Sequence, residues 1–434
     1  MTAGSRGDVA PFTGLGAGLV RAGYEVTLAT HGPFAPLVAG SGVRFAALPG
    51  DPRAVMQSLE GRGLHESRSG AGKLLKAAAL ARDVATEMTP LLVDAARDAD
   101  VVLAGGAVAP LGYAIAEGLS RPSMGLFLQP LHGTREFPPP MLAGHRSLGP
   151  VGNRWSGNAV AAAIDTVFAR AARTLAPEFG LPSTRLAAAR RARERQRWPV
   201  WHGFSERVVP RPRDWRPGLN ICGYWWTHDT IRQLPPELED FLQAGPPPAY
   251  VGLGSATAPD PRRTSAHIVA ALRAAGLRGV IQRGWAGLDA TKEDVAQEDA
   301  TKKDVAQEGF AGEDVVAEDM ITVGDVPHSA LFPRTAVVVH HAGAGTTGSA
   351  LRAGVPCVPV PVQFDAFFWA SRLVGLGTAP ASVPLRHLTA ATLGDALRRA
   401  TTDPAYRARA RHIADQLARE DGVAPVASAL ERMR

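Results

Sequence analysis

The stretch Val337-Val338-Val339-His340-His341-Ala342-Gly343-Ala344-Gly345-Thr346-Thr347 (VVVHHAGAGTT) decides the fold. Three consecutive valines read as a strand buried on both faces. The small residues after it read as a tight turn, and Ser349 to Ala353 as a helix. A strand that runs into a glycine corner and then a helix leaves the first helical N–H groups unpaired. The positive end of the helix dipole points beyond the strand's carboxyl end. That is an anion site in outline. Glycines let a phosphate approach the backbone, the hydroxyls of Thr346 and Thr347 add donors, and a histidine at the strand end adds another. The other reading is an ordinary strand–helix corner with two capping threonines. The run is neither a G-x-G-x-x-G dinucleotide fingerprint nor a Walker loop with its lysine.

Outward from this corner the pattern alternates strand and helix. Ala249–Leu253, Gly279–Gln282, Ala336–Val339 and Cys357–Val360 read as strands, and Arg262–Ala275 as a helix. The N-terminal half repeats the theme. After the turn Gly4-Ser5-Arg6-Gly7-Asp8, a helix opening at Pro11 carries Leu15, Leu19 and Val20 on one face. Tyr24–Ala29 and Val101–Ala104 read as strands and Thr89–Ala99 as a helix. The fold class is therefore α/β, with two doubly wound, Rossmann-like parallel-sheet domains facing across a cleft. The expected organisation is an N-terminal domain over residues 1–220, a Pro- and Trp-rich linker over 221–248, a second domain over 249–404, and one helix over 405–434 that crosses back.

Composition narrows the class. The chain has 434 residues, 45% hydrophobic and 20% charged, enough for two cores. The longest nearly apolar stretch, Ala104 to Ala116, is shorter than the ~20 residues of a membrane span. The N-terminus lacks a signal-peptide pattern, so the expectation is a cytoplasmic protein without a transmembrane segment. Cys222 and Cys357 form neither a disulfide framework nor a metal motif. The formal charge of +6 rests on 47 basic residues of which five are lysine, a bias of composition rather than a nucleic-acid footprint. The dense cluster Arg185, Arg190, Arg191, Arg193, Arg195, Arg197 lacks interleaved aromatics. It reads first as a solvated helix face and second as a peripheral membrane contact. Residues 290–319 hold two near-identical acidic decapeptides and a decayed third copy, read as surface decoration.

Other residues could carry chemistry. Ser255 follows Gly252-Leu253-Gly254 at a second strand end and offers a further phosphate donor. Asp8 precedes a helix, so it either caps that helix or, kept ionised by its dipole, accepts a proton. Asp365 follows the Cys357–Val360 strand, where an acid can accept hydroxyl protons. Asp98-Ala99-Asp100 is formally a metal–diphosphate D-x-D, but it precedes a strand and so points away from the cleft. No metal site is expected.

From His340 the sequence HHAGAGTTGSALRAGVPCVPVPVQFDAFFWASRLVGLG resembles the nucleotide-sugar signature of family-1 glycosyltransferases of the GT-B fold, in the bacterial natural-product and sterol-glucosyltransferase-like branch. GSRGDVAPFTGLGAGLVRAGYEVTLATH resembles the opening of the same family, and RPRDWRPGLNICGYWW its interdomain entry. The resemblance implies Asp8 as general base, and Ser255, His341, Gly343, Gly345 and Thr346 around the donor diphosphate. It further implies Val326 and His328 at the nucleobase, and Asp365 with Ala366 at the donor sugar. Most relatives have Gln where Ala366 stands, which suits a deoxysugar or an altered donor. Relatives also have about five more apolar residues ahead of the Gly-Ser-Arg-Gly-Asp turn, leaving Met1-Thr2-Ala3 as the stub of a central strand.

The reading is an inverting hexosyltransferase that moves a sugar from a UDP- or dTDP-linked donor to a hydroxyl of a hydrophobic natural-product aglycone. It needs no cofactor beyond that co-substrate. The acceptor is expected along Arg53–Lys76 and Gln129–Pro140, with Gln129, His132 and Phe137 in contact. A sterol or lipid acceptor at a membrane surface is the competing acceptor class. A sugar-nucleotide epimerase or hydrolase and a non-catalytic donor-binding homologue are the competing functions.

Overall fold

The computed structural model describes residues 1–58, 84–142, 147–178, 186–228, 233–290 and 319–433. It divides into two compact units, Met1–Thr230 with Gln416–Arg434, and Ile231–Asp415.

In the first unit, β1 (Thr27–His31) pairs in parallel with β2 (Arg44–Leu48). Strands β3 (Val102–Gly105), β4 (Ser123–Phe127), β5 (Val200–His202) and β6 (Leu219–Ile221) form a parallel sheet in that order. Met1 and Thr2 lie between the two sheets. Thr2 N–H donates to Ala29 O in β1 at 3.0 Å, and Gly105 N–H of β3 donates to Met1 O at 2.9 Å. The stub thus occupies the place of a strand between β1 and β3. Thr2 Oγ1 also donates to Asp8 O at 2.8 Å, tying the next helix to it.

That helix runs Arg6–Arg21, opening five residues before Pro11, which lies inside it. Ser5 and Asp8 form a capping box that sets the start, and this local signal outweighs the preference of proline for a first turn. Val9, Phe12, Leu15 and Leu19 bury against Leu28, Met124, Leu126 and Trp225. Gly14 faces the Trp226 backbone so closely that a Cβ would stand 1.5 Å from its carbonyl oxygen, so no larger residue fits there.

The units divide at Thr230 and Ile231, inside the proline-rich passage 221–248, whose two ends are structured. Ile221 ends β6, Trp225 is buried in the first unit's core, and Pro236–Gln243 is a helix whose Leu238, Phe241 and Leu242 are buried. Large apolar side chains anchor what the prolines alone would leave extended. The single C-terminal helix is in fact two, Pro404–Leu417 and Ala424–Glu431. Asp421 Oδ1 accepts from Val423 N (2.9 Å) and Ala424 N (3.1 Å), which restarts the helix. The last helix joins the first unit's core through Val426, Ala429 and Leu430, and Trp225 Nε1 donates to Gly422 O at 2.8 Å.

The second unit is a five-stranded parallel sheet. Its strands are β7 (Ala249–Gly252), β8 (Gly279–Gln282), β9 (Met320–Val323), β10 (Val337–His340) and β11 (Cys357–Pro359), in the order β11-β10-β7-β8-β9. Val337, Val338 and Val339 are each fully buried, worth roughly 1.5–3 kcal/mol per side chain. The order reverses between β7 and β10, and ligands of such sheets bind at the carboxyl ends of the strands flanking that reversal.

Candidate functional site

The loops at that switch point carry the predicted donor residues. The helix after β10 is Ala344–Arg352, beginning five residues before Ser349, because Gly343 takes the extended N-cap conformation (φ −69°, ψ 150°). No side chain caps it. Thr347 N–H returns to Gly343 O at 2.9 Å, whereas the amides of Ala344, Gly345 and Thr346 donate to nothing among the described residues. Three unpaired amides at the head of a nine-residue helix make an anion-accepting corner. Thr346 is half-buried beside them. Thr347 is fully buried, and its hydroxyl has no hydrogen-bond partner among the described residues.

His341 fits this corner because two glycines make room for it. A Cβ on Gly254 would lie 2.8 Å from His341 Cε1, and one on Gly343 would lie 2.4 Å from Nε2. Burial lowers its pKa to about 4, so the ring is neutral at pH 7 and donates one N–H. Ser255 sits in the turn after β7 that carries Gly254.

Val326 is buried, and His328 opens a short helix with its ring stacked on Phe332 (4.2 Å, 16°). Tyr250 OH donates to Gln282 Oε1 at 2.7 Å and lies 3.3 Å from His328 Nε2. Gln282 Nε2 in turn donates to Asp325 Oδ1 at 3.2 Å. Tyr250 and Gln282 escaped the sequence reading because, inside strands, they look like core. Asp365 is the N-cap residue of the helix Ala366–Gly375 and accepts from Trp369 Nε1 at 2.8 Å. Ala366 opens that helix and is buried. The amide nearby is Gln363, whose buried Oε1 has no partner among the described residues.

The first unit builds a different site. Asp8 Oδ2 accepts from Ser5 N at 2.8 Å and Ser5 Oγ at 3.0 Å. The capping reading is therefore correct, and it does not exclude the other. Burial raises the Asp8 pKa above the usual carboxylate range, while hydrogen bonds from Ser5 and Gln129 and the charge of His31 oppose that rise. Gln129, an expected acceptor residue, thus touches the expected base. His31 ends β1 with Nδ1 2.7 Å from Pro49 O. It was not among the expected residues, although it closes a strand as His340 does.

His132 stacks on Phe127 (5.3 Å, 19°) and packs edge-on to His202 (5.6 Å). Burial holds its pKa well below 6.5. A small pocket open to solvent lies against Gly106, Phe127, His132, Asp165, Arg193 and Trp198. Phe137 lies in the bend 135–137 and is not among its lining residues. Arg191, Arg195 and Arg197 of the arginine cluster are exposed, as a solvated face requires, and Arg193 is an exception. It is nearly buried and pairs with the equally buried Asp165 at 2.6 Å. The acceptor stretch Arg53–Lys76 lies mostly outside the described residues, as do the acidic repeats. No helix among the described residues is long and apolar enough to cross a membrane.

Residues 1–137 match the glycosyltransferase family 28 N-terminal domain, and residues 305–433 the erythromycin biosynthesis protein CIII-like C-terminal domain. The chain is 35% identical to an O-mycaminosyltylonolide 6-deoxyallosyltransferase of Streptomyces fradiae, over 98% of this chain and 94% of that one. It is 30% identical to a sterol 3-beta-glucosyltransferase of Arabidopsis thaliana, over 100% of this chain and 67% of that one. It spans 27% and 33% of the length of two fungal sterol 3-beta-glucosyltransferases. A glycosyltransferase from Streptomyces sp. SF2575, solved with thymidine diphosphate, superposes with a TM-score of 0.61 at 20% identity, covering 99% of this chain and 98% of that one. With both units built on parallel sheets and both halves matched, the chain belongs to the GT-B glycosyltransferases, in the branch that holds macrolide and sterol glycosyltransferases.

Proposed function

We propose that the protein is an inverting glycosyltransferase that moves a hexose or deoxyhexose from a UDP- or dTDP-linked donor to a hydroxyl of a hydrophobic natural-product acceptor. The observation that carries this reading is the uncapped helix start after β10. Three amides and the neutral His341 there offer hydrogen bonds and no negative charge. In this reading the Ala344, Gly345 and Thr346 amides, with Ser255 and His341, hold the donor diphosphate. As the glycosidic C–O bond breaks, negative charge grows on the departing phosphate oxygen, and donors already in place stabilise it.

Asp8 takes the proton of the acceptor hydroxyl as its oxygen bonds to the anomeric carbon from the side opposite the leaving group, which inverts that carbon. A base with a raised pKa serves better, and burial raises that of Asp8. Phe127, Leu131 and Trp198 beside His132 offer apolar surface to a hydrophobic acceptor, and the charged Asp165, Arg190, Arg193, Glu194 and Arg216 lining the same pocket require that acceptor to carry polar groups as well. The macrolide-directed relative from Streptomyces fradiae supports that acceptor class over a sterol, because the chain spans 94% of it. The neighbour solved with thymidine diphosphate supports a dTDP-linked donor.

Isothermal titration with UDP and dTDP, followed by product analysis with a macrolide panel and a sterol, tests the reading. A glycoside of inverted anomeric configuration is expected. Donor consumed equally fast without any acceptor would replace the transferase with a hydrolase or epimerase.

A further inference from the structure

Two histidines close the β10 corner, and the function above uses only the second. His340 is wholly buried at the end of β10, with Gly252 and Pro359 as its strand neighbours. Its Nδ1 accepts the N–H of Ala342 at 3.1 Å. Ala342 has φ 60°, although it is not a glycine. An L-residue rests in this left-handed region when something local holds it there. A side-chain acceptor for the N–H two residues ahead is the device by which Asn and Asp hold such turns.

The bond also sets the proton. With Nδ1 accepting, the neutral ring carries its hydrogen on Nε2, and Nε2 finds no partner among the described residues. An unsatisfied buried N–H is unfavourable, and a packing role alone would be better filled by a fourth valine after Val337–Val339. What the imidazole adds is the Ala342 bond. The direction in which Ala342 leaves the strand decides where the next groups stand. His341 lies against Gly254 and Gly343, and Gly343 reaches the N-cap conformation that opens the helix.

We infer that His340 is a positioning residue, whose Nδ1 bond to the Ala342 N–H holds the left-handed turn that aims His341 and the Ala344–Thr346 amides at the donor diphosphate. The inference rests on the donor reading above for its ligand, and on the corner alone for its geometry.

Calorimetric titration with UDP and dTDP tests it on the full chain and on His340→Val, His340→Asn and the double variant His340→Val with Ala342→Gly. The valine variant should bind at least tenfold more weakly and raise the donor KM more than it lowers kcat. The asparagine variant, whose Oδ1 can accept the same N–H, should stay within about threefold. Glycine at 342 adopts the left-handed turn without help and should recover most of the lost affinity. A valine variant that binds like the wild type, or one that glycine does not rescue, reduces His340 to packing and overturns the inference.

A second measurement needs no nucleotide. Histidine ¹⁵N spectra should show His340 as the Nε2–H tautomer, and amide exchange at residue 342 should quicken in the valine variant. An Nδ1–H tautomer sinks the clamp whatever the protein binds. A wild type that binds neither diphosphate, yet passes these two checks, sinks the donor reading instead.

Discussion

Each unit sends the backbone at a sheet switch point into a small-residue turn and a helix, yet the two corners are opposite in chemistry. In the first, Asp8 at the third helical position turns its carboxylate back onto the N–H and hydroxyl of Ser5 at the cap. In the second, Gly343 caps nothing, and three amides stay open. One corner therefore presents an acid whose pKa burial raises, the other a cluster of donors with a neutral histidine. The lesson is that a helix N-terminus has one complement of unpaired N–H groups, and the sequence at its cap decides whether the protein or a ligand uses it.

The most severe way to break this contrast is Asp8→Asn. The amide oxygen can still accept from Ser5, so the helix should form. Turnover should fall by roughly 10²–10⁴, the usual span for a general base, while nucleoside diphosphate affinity, set in the other unit, should hardly change. Steady-state kinetics beside calorimetry would read both, and a loss of both together would mean the first corner is structural only. In the wild type, kcat/KM should drop as pH falls through the raised pKa of Asp8.

His341→Ala should weaken nucleoside diphosphate binding and slow transfer together, each by about ten- to a hundredfold, the scale of one or two lost donors. The Asp8 pH profile should survive this change, which keeps the two corners separable.

Gly345→Ala sharpens the comparison further. A Cβ at Gly345 meets nothing within 4 Å, and alanine in place of glycine favours a helix by about 1 kcal/mol. Thermal melting should rise slightly while donor affinity falls several-fold. A variant that gained stability and kept affinity would show that no ligand approaches this backbone.

A separate effect concerns stability and pH. Burial holds His202 and His341 near pKa 4 and His340 near 3. Below about 6.5 the unfolded chain takes up protons on these rings while the folded chain does not. Stability should therefore fall as the pH drops from 6.5 toward 4, by on the order of 1 kcal/mol per histidine for each pH unit. Urea midpoints at pH 7 and pH 5 measure this, and a higher midpoint at pH 5 would contradict the buried neutral rings.

Much of the corner after β10 was legible because it is local. Val337–Val339, the glycines and the threonines follow one another in the chain, and strand-to-helix geometry does the rest. What escaped depends on packing. The helix begins at Ala344 rather than Ser349, a start that Gly343 sets at the cap. Tyr250, Gln282 and His31 come to matter only through partners 18 to 78 positions away along the chain. Arg193 likewise reads as surface until Asp165 meets it.

From the order of its residues alone, this protein declared two parallel α/β units, a phosphate-friendly corner and an acid before a helix, because each is written in neighbouring side chains and backbone propensity. Which acid is basic, which histidine is neutral and which amides stay open was left to the folded chain. Burial and hydrogen bonding set those properties, and neither exists until distant segments have come together.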